Sequence, residues 1–250
     1  MRPFLTLTRR ELAGYFVSLT GYLTIAAIQF LVGLGMLLLL EALNGKPFDM
    51  PLTEAFYNNL WFFLILLLAP PVVTMRTFAQ EKFSGTYETL MTAPVSDTAV
   101  VLAKFTGALV FFLCSWAPII TYPLILRHFA VDLTEIDWGA LGGTAVGLLL
   151  FGALYTAIGC CMSSLTRSQI IAAMNAFVIG LGLFLASYLA HVMPQQPGWE
   201  METLQHISLI DHMRDFTRGV IDSRQVTFYL SLTVFFLFLT TKSVESRRWR

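Results

Sequence analysis

Hydrophobic positions along this chain come in long unbroken runs, and its charges fall in clusters between them. From Leu12 to Leu40 no charged residue occurs, and Gly21 to Leu40 is almost wholly apolar. Further runs are centred on residues 56–75, 105–126, 138–162, 169–192 and 225–241, with the first at 20–40. A bilayer core of about 30 Å is crossed by roughly 20 apolar residues in a helix, with a range of about 17–25. A helix also satisfies its own backbone polar groups in lipid. The pattern therefore predicts an all-α membrane protein with six transmembrane helices and one transmembrane domain over residues 1–250. An even number of spans puts both termini on one side.

Composition agrees, with 56% of residues hydrophobic and only 13% charged. Soluble domains carry about 25% charged residues, so an ordinary soluble enzyme, a disordered chain and a disulfide scaffold are excluded. The 16 basic and 16 acidic residues cancel, which leaves a nucleic-acid partner without electrostatic support. Their placement is uneven. The termini, residues 76–104 and the short 163–168 loop carry eleven bases and five acids, and the other three loops carry five bases and eleven acids. Because cytoplasmic loops collect Lys and Arg, both termini are expected in the cytoplasm, with the chain in a cell inner membrane. The first run is too long for a signal-peptide core and should remain as an anchor. Cys114, Cys160 and Cys161 all fall within spans, where they read as small packing residues rather than ligands.

The polar segments hold the candidate chemistry. In residues 1–17, Phe4, Leu5, Leu12, Tyr15 and Phe16 share one helical stripe, the pattern of a helix lying in the membrane interface. Arg9, Arg10, Arg247 and Arg248 are the expected contacts to lipid phosphates. Residues 76–104 read as two short helical pieces around Gly85, closed by Pro94. Ser96 then caps the following helix, with Val95 and Val100 as a hydrophobic staple. A firm hairpin that transmits force and a well-capped loop suit these residues equally. Gly143 and Gly147 make a small-xxx-small pair for close helix packing. Residues 193–224 form a long outer loop in which Trp199, Met201, Leu204, Ile207, Ile210 and Phe216 mark an amphipathic piece, with Gly219 as its stop. His212 reads as a solvated or capping side chain. No carboxylate, Lys or Arg falls inside the six runs, which argues against an ion-driven carrier. No phosphate loop, nucleophile elbow or metal motif occurs, so neither catalytic nor metal-binding residues are expected. A transporter of this composition takes its energy from another chain.

These stretches resemble the permease subunits of type-2 ABC exporters, and among them the six-span gliding-motility type also found beside copper-enzyme maturation systems. Thr8-Arg-Arg-Glu-Leu-Ala-Gly-Tyr-Phe16 is similar to the family's entry segment. The segment from Gln80 to Asp97, with Gly85-Thr86, Glu88 and Pro94, resembles its coupling segment, although Gln80 stands where a glutamate is usual. Phe216 to Tyr229 resembles the turn into the last span. The resemblance implies a substrate pathway with no ATP site of its own. ATP and magnesium would be bound by two cytoplasmic ATPase subunits, and a second permease, identical or paralogous, would complete the assembly. It also implies that Arg76, Glu81, Lys82, Gly85, Thr86, Glu88 and Pro94 couple the chain to the ATPase. A non-transporting scaffold of an envelope machine and a polytopic lipid-modifying enzyme are the alternative readings.

Overall fold

The computed structural model describes residues 2–43, 52–57, 59–87, 95–122, 137–192 and 206–248. Glu88 and Pro94, together with Trp199, Met201 and Leu204, lie outside these described residues. Regular structure among the described residues is helical throughout. An N-terminal helix, α1 (Arg2–Val17), meets α2 (Leu19–Leu43) at Ser18, and a short α3 (Leu52–Tyr57) precedes α4 (Leu60–Thr74). After α5 (Ala79–Ser84) come α6 (Asp97–Trp116), α7 (Trp138–Leu165) and α8 (Gln169–Val192). The short α9 (Leu209–Thr217) leads to α10 (Ser223–Arg248). Six helical stretches among the described residues are long and apolar enough to cross a membrane. They begin with α2, α4 continued through α5, α6, α7, α8 and α10.

Local chemistry sets the helix starts. Asn59, Ser96, Asp137 and Ser208 each accept a hydrogen bond from a first-turn backbone N–H of the helix that follows, satisfying donors that have no intrahelical partner. Val95 packs against the buried cluster that contains Val100. Pro70 and Pro71 lie inside α4 without ending it, a tolerance that buried membrane helices show because neighbours and side chains satisfy the freed backbone.

Three predicted boundaries shift. The third span begins at Asp97, not residue 105, and its α-helix ends at Trp116 before a 3-10 turn at Ala117–Ile120. The last helix runs from Ser223 to Arg248, beyond the charge-free stretch 225–241. The run 56–75 is divided, since Leu52–Tyr57 is a separate short helix and α4 starts only at Leu60. In each case a charge was read as a span limit although the helix continues through it, or a capping polar group was hidden within an apolar run.

Helices α4 and α7 are the centre of the bundle, with 72% of each membrane window buried, against 17–28% for α2, α8 and α10. Phe63 of α4 meets Phe151 of α7 at 6.4 Å, and further aromatic rings pack around them. Phe62 meets Trp116 edge-on at 5.4 Å, and Phe151 stacks on Tyr155 at 5.7 Å. The outer helices turn Phe30, Val178, Leu185, Val234 and Phe238 outward, which suits a hydrocarbon surrounding.

Helix α9 is amphipathic as expected, but its apolar face meets the bundle rather than a membrane surface. Leu209, Met213 and Phe216 are fully buried. The Gly143/Gly147 pair makes the room: a Cβ on Gly143 would sit 2.2 Å from the Phe216 carbonyl oxygen, and one on Gly147 would meet the Phe216 ring at 2.9 Å. The pair thus receives a short helix and not another span. Gly219, at φ +78°, ends α9, with Val220 N–H donating to Asp215 and Gly219 N–H to Phe216, the reciprocal bonds of a Schellman stop.

Gly143→Ala is expected to lower stability by about 2 kcal/mol, because overpacking against backbone has no cheap relief. Gly142→Ala, whose Cβ meets nothing within 4 Å, should stay within about 0.5 kcal/mol. Thermal unfolding of both variants in one detergent measures the difference.

Candidate coupling site

One end of the bundle is held by ionic and hydrogen-bonded contacts around α5. Lys104 lies in the second turn of α6 and is only 2% exposed. Its ammonium is 2.8 Å from Glu81 of α5 and 3.2 Å from Glu11 of α1. Arg10 reaches the same two carboxylates at 3.0 and 3.5 Å. Two cations and two anions make a neutral cluster joining three helices. The Phe78 ring lies 5.4 Å from the same ammonium, an added attraction for a desolvated cation.

Helix α1 can reach Lys104 because α6 has a small residue one turn on. A Cβ on Gly107 would sit 2.9 Å from the Glu11 Cβ. Farther along this face Tyr15 stacks on Phe111 at 4.7 Å, and its hydroxyl donates to the Val73 carbonyl at 3.1 Å. The stripe predicted to face lipid is therefore divided. Tyr15 and Phe16 pack on α6, while Leu5 is largely exposed.

A second set of bonds ties α5 to the end of α7. No side chain of its own segment caps this helix at Phe78. Ser163 of α7 does so instead, accepting from the Phe78 and Ala79 N–H groups at 3.1 and 3.0 Å while donating to the Met75 carbonyl. Lys82 donates to the Ser164 carbonyl and lies over Tyr87 at 5.1 Å. Ser243 of α10 donates to that carbonyl too.

The predicted coupling residues separate by direction. Glu81 and Lys82 point into the bundle, whereas Gly85 and Thr86 are exposed. Gly85 takes a left-handed backbone, φ +76°, which side-chain-bearing residues rarely adopt. Arg76 turns back to donate to the Thr20 hydroxyl. Arg9 is exposed, and only the backbone of Arg247 and Arg248 is described. Phe83, 79% exposed beside Gly85, was not singled out from sequence. An aromatic on the outward face of a polar six-residue helix is the signal that marks it.

The other end of the bundle has its own ionic contact. Glu54 of α3, also missed in the sequence pattern, is buried and bonded by Arg218 at 2.7 Å, with Arg214 at 3.8 Å. Gln225 donates to Asp215 at 2.6 Å, and Ser187 accepts from the Ile210 N–H. His212 is buried edge-on against Phe228 and Tyr229 rather than solvated, and that burial lowers its pKa below the usual histidine value. Among the described residues no group of His, Cys, Asp or Glu could hold a metal ion.

Residues 49–211, which take in spans two to five with Glu54, Glu81 and Lys104, match the family model described as ABC-2 family transporter protein. The chain belongs to this family. No individual curated protein matches it. The chain is a multi-pass transmembrane permease of an ABC-2 type transporter, a family whose members generally work with an ABC ATPase.

Removing the permease's buried cation should be costly. Lys104→Met leaves Glu11 and Glu81 sharing only the half-exposed Arg10, and removing the buried partner of an ion pair in this way costs about 3 kcal/mol. Adding Glu11→Gln and Glu81→Gln to that variant should recover most of the loss, as read by thermal unfolding.

Proposed function

We propose that this permease lines the substrate pathway of an exporter and is driven through α5 by a separate cytoplasmic ATPase. The observation that carries the reading is the four-residue ion cluster beneath an exposed α5 surface. Phe83, Ser84, Gly85 and Thr86 face outward, while Glu81 and Lys82 join the same helix to α1, α6 and α7. A partner gripping the outer residues would move three helices together. In this reading Glu81 and Lys82 hold the coupling helix in place, Gly85 gives the turn its shape, and Phe83 with Thr86 meets the partner. Glu88 and Pro94 extend that surface along the segment.

The excess of bases on the α5 side supports a cytoplasmic location for both termini and insertion in an inner membrane. Arg9, Arg10, Arg247 and Arg248 then lie at the level of lipid phosphates. Two ATPase subunits holding ATP and magnesium, together with a second permease of the same or a related kind, complete the assembly. Similarity of the entry and coupling segments supports placing the chain with the gliding-motility and copper-enzyme-maturation type. ATP-driven closure of the ATPases would shift the spans between inward-open and outward-open arrangements.

Gly85→Pro and Glu88→Lys should leave the permease inserted but reduce its stimulation of partner ATPase activity at least roughly tenfold, since proline cannot adopt a positive φ and the second change reverses a charge. Unchanged stimulation in both variants overturns the coupling assignment. Labelling of a terminal tag from the periplasmic side overturns the orientation.

A further inference from the structure

A cavity of about 360 Å³ opens where α1 turns into α2, beside the ends of α4 and α5 and the start of α6. A single water needs only about 10–15 Å³, so the space admits a much larger polar group. Arg10, Arg76 and Lys104 line it against Glu11 and Glu81, which leaves one positive charge in excess. That excess is Arg76. Arg10 and Lys104 are committed to the two carboxylates, while among the described residues Arg76 bonds the neutral Thr20 hydroxyl. Among the described residues its Nε finds no hydrogen-bond partner, and neither does Oε2 of Glu81. The two side chains that carry this orphaned donor and this orphaned acceptor thus line one cavity. Each is costly to leave unpaired.

The surroundings indicate the form of the ligand. Val72 both lines the cavity and is 41% exposed on the outer side of α4. A side chain of the cavity wall is therefore also on the outer surface of α4, beside the junction of α1 with α2. We propose that this cavity binds the headgroup of a phospholipid whose phosphate is joined to an N–H or O–H donor, such as phosphatidylethanolamine or phosphatidylglycerol. After small side-chain rotations the phosphate pairs with Arg76, the headgroup donor reaches Glu81 Oε2, and the acyl chains leave over Val72. The site requires a membrane around the chain but not an ATPase at α5.

Native mass spectrometry of the purified permease, challenged with phosphatidylethanolamine, phosphatidylglycerol and phosphatidylcholine at equal concentration, tests this. The choline headgroup has no N–H, so it should be retained roughly tenfold less, the loss of one hydrogen bond to a carboxylate. Arg76→Ala should lower retention of all three lipids, because it pairs with the phosphate they share, and Arg76→Lys should keep part of that retention. Gly14→Leu gives a second variant. Gly14 lies on the cavity wall with open space around its Cβ, and leucine favours the helix, so binding is blocked without strain. Equal retention of all three lipids overturns the proposal, as does unchanged retention in Gly14→Leu and Arg76→Ala. Displacement by soluble phosphoethanolamine at matched concentration would assign the cavity to a soluble phosphate ester instead.

Discussion

A lysine ammonium buried two turns into a membrane-spanning helix is tolerable only while carboxylates neutralise it, and most of the arrangement at that end follows from this requirement. Lys104 draws Glu11 from α1 and Glu81 from α5. Two carboxylates around one ammonium would leave net negative charge in a desolvated place, and Arg10 restores the balance. The N-terminal helix must therefore lie along α6, and Gly107 and Phe111 are what it meets there. The pairing acts together with Tyr15 and Phe16, which pack on Phe111, to hold α1 against the bundle.

The membrane class, the number of spans and the segment that folds as α5 were legible in the sequence. All three depend on local pattern: charge-free runs of membrane length, Ser96 as a cap, and Gly85 as a break between polar pieces. What escaped was long-range. Lys104 reads as the edge of a span because an unpaired charge belongs outside lipid, and its partners stand 93 and 23 positions away. Glu54 is the same case, since its partner Arg218 comes from the far side of four spans. Hydropathy treats a charge as a property of its position. In the folded chain it is a property of a cluster, and a neutral cluster can lie where a single charge cannot.

The outer segment gives a complementary lesson about small residues. Gly143 and Gly147 indicate that something approaches α7 closely, without saying what. The occupant is α9, which packs through Leu209, Met213 and Phe216, and of these only Phe216 belongs to the stripe read in the sequence. An apolar stripe and a small-residue groove are complementary, and each signal was visible alone. Only their pairing, completed by the left-handed turn at Gly219, was not.

Both ends of the bundle thus converge on α7. At one end its Ser163 and Ser164 hold α5 and α10 through backbone bonds, and at the other its glycines hold α9. Between them its rings pack on α4 and α10. A load applied to the exposed residues of α5 cannot be absorbed locally, because the helix has ionic bonds to α1 and α6 and a cap supplied by α7. Packed interiors respond to such a load by shifting as units. Of the spans with most of their surface exposed, α10 keeps the most extensive contact with α7, and α2 meets the least of the bundle and can slide with the least repacking. Any change that carries a signal from α5 to the Glu54–Arg218 contact must then pass along α7 as a nearly rigid rod. The places where that rod touches another backbone or a short side chain, at Gly143 and at Gly159 against Thr74, are where added volume would interrupt it.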